Sequence, residues 1–436
     1  MTKESDDVPT PWPVVELREF PGVEYAAYGI ARQQKASGGI PMIRATEIVE
    51  GGVHVQEFTF VPPDVARRHP RSTLRSGDLL VVLVGRVGEA AVAGEEHAGW
   101  NVARSLAVVR WTPEGRAQQW DLWLRWWLKT SQSQSYLTLS SSNAEHMTLP
   151  LQALNRLPVP VPPAPVRERL LSLISLAERK NALNTRIVSC ATELADALFM
   201  EALQTCGQGP ATERAVGEVC QVTAGAAQSL PDSEQSAMPW VSPREVLNCK
   251  TVHLGAVTSR TVAQAEVVCP SGSLLIAPRP GEVRTVLTTT PVVPGRRTLA
   301  IYTESEVDRM WLLHSLRYRR RELTAVTQGE QARAMRRKDF SRYKIPWPTD
   351  AVRRDFARRA AALHDLAYAS ARERQVMEEL VVHELEKGGP GASHFGQLNA
   401  ELVHVAPLWS TESNALNERR STARTVSPLA IRERPD

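Results

Sequence analysis

LPVPVPPAPVRERLLSLI, residues 157–174, and YKIPWPTDAVRRDFARRAAAL, residues 343–363, decide how this chain is organised. Each is an apolar ribbon with proline at every second position, followed by a charged, apolar-periodic run. Proline lacks an N–H and is tolerated only ahead of a helix or in its first turn, so each stretch launches a helix out of an extended segment. A chain that writes this device twice invites a search for a repeat.

The repeat extends well beyond the ribbons. IPMIRATEI (40–48) matches MPWVSPREV (238–246) at an offset of 198, which sets Pro41 on Pro239, Glu47 on Glu245 and Ile48 on Val246. SGDLLVV (76–82) matches SGSLLIA (271–277) at 195, and ARSLAVV (103–109) matches RRTLAIY (296–302) at 193. DLWLRWWL (121–128) then matches RMWLLHSL (309–316) at 188, and the ribbons match at 186. Five collinear matches with a steadily falling offset are the mark of a duplication whose second copy has lost about a dozen loop residues.

Within each copy, apolar runs bounded by glycine, such as GDLLVVLVG (77–85) and GSLLIAP (272–278), predict short strands. QWDLWLRWWLKTSQSQ (119–134) predicts one amphipathic helix, with Trp120, Trp123 and Trp127 at helical spacing in the core rather than stacked on bases. The first long helix is expected to run to Leu203 with Val166, Leu170, Leu173, Ala177, Ile187, Ala191, Leu194 and Leu198 in its seam, interrupted by Lys180 and Asn184. The second is expected over 350–387, with Val352, Phe356, Leu363, Leu366, Met377 and Leu380. Neither has a face wide enough for its own core, so they are expected to pair antiparallel, each roughly 54 Å long at the 1.5 Å helical rise. The fold class is thus α/β (α+β): two duplicated mixed α/β domains separated by two long antiparallel coiled-coil helices. The expected boundaries are 1–161, 162–205, 206–348 and 349–388, with 389–436 a tail expected to be disordered because its composition shows no periodicity.

The five cysteines lie at least fourteen positions apart, which excludes closely spaced zinc and redox pairs and fits a reducing compartment. No signal peptide and no membrane-spanning run is visible, so a cytoplasmic protein is expected. Catalytic patterns are missing too. VPPDVA (61–66) lacks the aromatic residue of an amine-holding turn, GRVG (85–88) reads as a strand end, and neither a phosphate loop nor HExxH occurs. Asp232, Glu234 and Glu245 have no lysine suited to a nuclease site, His97 and His146 have no partner, and His383–Glu384 reads as a solvated face. The residues call for no metal and no cofactor.

Net charge is only +4, yet residues 317–359 hold 14 Lys/Arg against 5 Asp/Glu. Such an excess fits either a solvated face or a phosphate-tracking surface. In the first copy, Arg44, Arg86, Asn101 and Arg104 fall at strand ends or turns, and Asn143 and His146 fall in the loop SSSNAEHMTLP (140–150). Arginine on guanine and asparagine on adenine are the side chains that discriminate base edges. In the second copy the candidates are Arg244, Arg279, Arg296, Arg297, Gln328, Arg333, Arg336 and Arg337.

The order IPMIRATEI, LRSGDLLVVLVGRVGEA, NVARSLAVVR, a Ser-rich loop, the Pro-rich ribbon, a helix and ELADALFMEAL, followed by the series again, resembles the specificity subunit of type I restriction-modification enzymes over about residues 12 to 388. The resemblance implies a non-catalytic subunit in which two target-recognition domains each read one half of a split site on double-stranded DNA. It implies helices that set the gap, docking of two DNA adenine methyltransferase subunits, and restriction (nuclease/translocase) subunits joining them. Departures are Ser242 where Arg44 stands and APRPGEVRTV in place of VGRVGEAAV, so the halves are expected to read different sequences. The competing readings are a coiled-coil scaffold, a recognition subunit of another phage-defence complex without a nuclease, and a self-contained DNA-modifying enzyme.

Overall fold

The computed structural model describes residues 12–31, 38–49, 51–55, 57–142, 147–206, 212–229, 237–249, 251–255, 257, 260–262, 268–279, 281–326 and 336–388. The chain divides into two compact units, Met1–Ala177 with Glu378–Asp436, and Glu178–Met377, so the division passes through both long helices rather than beside them.

In the first unit, besides a short hairpin of Ile48–Val49 with Gly52–Val53 that has no counterpart among the described residues of the second, the strands are β1 Val14–Glu16, β2 Val23–Tyr28, β3 Ile40–Ile43, β4 Thr59–Val61, β5 Leu79–Val82, β6 Ala90–Val92, β7 Asn101–Val102, β8 Leu106–Trp111 and β9 Pro158–Pro160. In the second they are β10 Thr212–Ala215, β11 Gln221–Ala224, β12 Ala237–Val241, β13 Arg260–Val262, β14 Leu274–Arg279, β15 Glu282–Leu287, β16 Val293–Pro294, β17 Leu299–Tyr302 and β18 Lys344–Trp347. The sheets β2-β8-β5-β6, β4-β3-β7 and β1-β9 reappear as β11-β17-β14-β15, β13-β12-β16 and β10-β18. Even the mixed pairing recurs, with β3 antiparallel to β4 and parallel to β7, and β12 antiparallel to β13 and parallel to β16. The duplication inferred from sequence is a duplication of topology.

Strand register corrects one of the matches. Val81 pairs with Ala107, and its counterpart Ile276 pairs with Leu299, so the β8/β17 offset is 192 rather than 193. Leu106 therefore corresponds to the buried Thr298, and Arg104 to Arg296. A one-residue slip would have turned each side chain to the other face of the sheet.

The same registers explain the Pro-x-Pro spacing. β9 pairs with β1 so that Leu157 accepts from the Leu17 N–H and Val161 donates to Pro13, at 2.9 and 2.8 Å, while Pro158 and Pro160 fall on the alternate positions. In an antiparallel pair those alternate residues exchange no hydrogen bond, so proline there sacrifices nothing. The second ribbon repeats the pattern, with the Val216 N–H on the Tyr343 carbonyl and Pro346 opposite Glu213.

Continuous apolar strands are buried on both faces. Leu274 and Ile276 of β14 face a core with Phe199, Trp311, Phe340 and Phe356, whereas Leu275 and Ala277 face a second core with Val241, Val246 and Leu254. The Trp-rich stretch differs from expectation. It forms two helices, Trp120–Trp127 and Ser131–Leu139, because the Thr130 hydroxyl accepts from the Ser133 N–H and starts the second one afresh. Trp120, Trp123 and Trp127 are buried as expected.

The long helices are Ala164–Cys206 and Asp350–Gly388. Their seams agree with those expected at Leu170, Ala177, Ala191 and Phe356 and depart elsewhere. In the first, Leu170, Ile174, Ala177, Asn184, Val188, Ala191, Ala195 and Phe199 are buried, while Leu194 is 52% exposed; in the second, Leu366 and Leu380 are likewise exposed. Small and polar residues share the seam with the larger apolar ones. Within the second unit the helices run antiparallel, with Asn184 Nδ2 donating to Glu373 Oε2 at 2.9 Å, Val188 and Ala191 clustered with Ala367, and Arg359 bonded to Glu201 at 2.7 Å. Among the described residues no helix is long and apolar enough to cross a membrane.

Candidate nucleic-acid interface

Four first-copy candidates have distinct fates. Arg44 precedes β3's exit turn, and its Nε and Nη2 both reach Glu47 Oε1, at 3.0 and 2.7 Å, while Glu47 Oε2 accepts the Arg44 N–H. Arg86 is a strut: Nη2 donates to the Ile48 and Ala45 carbonyls at 2.6 and 3.2 Å, and Nη1 meets Glu89 at 2.8 Å. Asn101 is fully buried in β7 and accepts from the Ser72 hydroxyl at 2.9 Å. It braces the small sheet from within and presents nothing to a base edge in this fold. Arg104 alone of the four is exposed, its guanidinium 4.8 Å from the Tyr28 ring centroid. Tyr28 was not singled out from sequence, and nothing in VEYAAY (23–28) sets it apart from Tyr25. Asn143 and His146 lie outside the described residues.

In the second copy, Ser242 replaces Arg44 and caps the helix Pro243–Asn248: its hydroxyl accepts from the Glu245 N–H while Glu245 Oε2 accepts the Ser242 N–H at 2.6 Å. The Glu47/Glu245 match is thus a shared cap. Arg244 is exposed on that helix, and Arg279 is ion-paired with Glu282 across the β14–β15 hairpin. Arg296 and Arg297 form the exposed tip before β17, and Arg336 and Arg337 are exposed at a short helix start. Gln328 and Arg333 lie outside the described residues.

The cation-rich segment 317–359 is less free than its count suggests. Arg317 bonds Asp196 at 3.0 and 2.6 Å, Arg319 bonds Glu213 at 2.9 Å, and Arg353 bonds Asp308 at 2.8 Å while lying 4.5 Å from the Trp347 ring. Arg354, Arg358 and Arg359 pair with Asp350, Asp355 and Glu201. Arg317, Arg319 and Arg353 are drawn inward by acids distant in sequence, whereas Arg354, Arg358 and Arg359 are paired but stay exposed on the helix surface. Arg320, Arg321, Arg336, Arg337, Lys338, Arg342 and Lys344 are exposed as well.

Beside Arg317 sits a buried polar chain peculiar to the second unit. His314 Nδ1 lies 2.7 Å from Asp196 Oδ1, and its Nε2 lies 2.9 Å from His364 Nε2. Burial holds His364 down to about 3 and His253 to about 4, so both are neutral near pH 7, while the His314 and Arg317 contacts hold the Asp196 carboxyl well below its ordinary range despite its burial. Two neutral imidazoles sharing one proton can bridge, but they place no acid or base at a surface. Among the described residues no group of three or more His, Cys, Asp or Glu is arranged to hold a metal ion.

No protein-family model matches the chain. Over 136 residues it is 30% identical to the type I restriction enzyme EcoBI specificity subunit of Escherichia coli, a match spanning 31% of the chain and 28% of that relative's length. Solved structures similar to it include the S subunit of a type I restriction-modification system from M. genitalium (12% identity, TM-score 0.44, covering 89% of the chain and 98% of that structure). Another is the HsdS subunit of Thermoanaerobacter tengcongensis (19% identity, TM-score 0.34, covering 90% and 100%). The chain resembles the type I specificity subunits.

Proposed function

We propose that the chain is the non-catalytic DNA-recognition subunit of a type I restriction-modification system. Its two units each read one half of a bipartite site on double-stranded DNA. The observation that carries this is the repetition of three sheets, each in the same strand order, in two units whose exposed turns differ. A duplicated scaffold with different turns is what reading two different half-sites requires, because loops carry contacts while the scaffold fixes their position. The likeness to the Escherichia coli specificity subunit supports the same reading.

On this reading the two long helices set the unread gap. Their exposed Leu176, Leu194, Leu366, Val376 and Leu380 are the apolar anchors for adenine methyltransferase subunits, and restriction subunits join those. Half-site contacts come from Arg104 in the first unit and from Arg244, Arg296, Arg297, Arg336 and Arg337 in the second, whereas Arg44, Arg86 and Arg279 act through the turns they hold. Methylome sequencing of the host with and without this chain tests the reading: one methylated-adenine motif disappears if it holds, and an unchanged methylome contradicts it.

A further inference from the structure

One turn of the second unit carries arginine where its backbone calls for glycine. Gly295 to Thr298 closes with the Thr298 N–H donating to the Gly295 carbonyl at 3.0 Å, and Arg297, the third of the four residues, has φ 68°. That position of a turn with positive φ ordinarily belongs to glycine or asparagine. The equivalent turn of the first unit, Ala103 to Leu106, closes the same way at 2.9 Å, yet its Ser105 has no positive φ.

The backbone cannot easily relax. Gly295 donates to the Val241 carbonyl at 2.7 Å, and a Cβ there would lie 2.8 Å from the Trp240 ring; Thr298 accepts from the Gly225 N–H at 2.9 Å. Nothing inside the unit compensates the strain. Arg296 and Arg297 are exposed and make no ion pair, hydrogen bond or ring contact among the described residues. Strain kept by an exposed, unpartnered side chain points to a contact made outside the chain.

We infer that Arg296 and Arg297 grip the DNA backbone as a two-cation phosphate contact, of which Arg104 is the single-cation counterpart in the first unit. This rests on the DNA-recognition reading and adds to it that the second unit makes one phosphate contact more at this turn.

The test uses the full chain purified with its methyltransferase subunits, a fluorescent random-sequence duplex of about 40 base pairs, and binding measured across a salt series alongside Tm. Arg297→Gly is expected to leave Tm equal or higher, because glycine accepts the backbone. It should also weaken binding about five- to tenfold and flatten the log–log salt slope by about 0.9. Arg297→Lys should keep the slope, and Arg104→Gln should lose about 0.9. Arg354→Gln, whose charge is already paired with Asp350, should change little. Wild-type affinity and slope in Arg297→Gly would overturn the inference, as would a loss of binding that tracks a fall in Tm. If the unaltered complex ignores DNA even at low salt, the recognition reading itself fails.

Discussion

At Asp78 the two copies solve one problem differently. Asp78 and Arg110 form a buried ion pair, 3.0 and 2.6 Å between their atoms, with the Thr73 carbonyl and the Arg75 N–H completing it. The matching positions in the second unit are Ser273, whose hydroxyl donates to Pro270, and Tyr302. Removing one partner of a buried pair strands the other charge, so Asp78→Ala is expected to destabilise the first unit by about 3 to 5 kcal/mol in denaturant unfolding. The buried histidines give the second unit a pH signature. With His253 at about 4 and His364 at about 3, the folded chain binds fewer protons than the unfolded chain below pH 6.5. Stability is therefore fully present above about pH 6.5 and is lost as pH falls toward 4. Tm should decline over that window, and His253→Leu should flatten the decline. None of this polar chemistry was legible beforehand, because Asp196, His314 and His364 are far apart in sequence and only packing brings them together.

For the elements, the sequence revealed the long helices to within three residues, since proline ribbons start them and apolar periodicity sustains them. Their seams were misread in part: Leu170, Ala177, Ala191 and Phe356 are buried as expected, but periodicity was followed through large apolar residues, whereas the buried line also runs through Ala195, Ala360, Ala367 and Asn184. Closely approaching backbones favour small side chains, which leave leucines facing outward. Leu194 and Leu380, equivalent at the helix offset of 186, are 52% and 43% exposed. Leu194→Asp with Leu380→Asp should thus alter Tm little while reducing co-purification of the methyltransferase subunits severalfold. A large Tm loss would place those leucines inside the fold instead. The single Trp-rich helix was misjudged for another reason: nothing in the apolar pattern marks Thr130 as a cap until its hydroxyl is seen on the Ser133 N–H.

Across the whole molecule, duplication was the most legible property, because collinear matches survive even where individual residues drift. Its precise register was not, since ARSLAVV and RRTLAIY align on their leucines in sequence but one residue apart in the sheets. Charge was the least reliable guide. Six arginines of the basic segment turn out to be paired, and the turn that stands out, Arg296–Arg297, lies before it. The central claim is that two related readers recognise two separate stretches of one duplex. Single-molecule methylome sequencing tests it most directly. The account predicts that deleting the chain abolishes one methylated-adenine motif made of two dissimilar halves around a fixed run of unread bases. Loss of a single uninterrupted motif, or no loss at all, would contradict it.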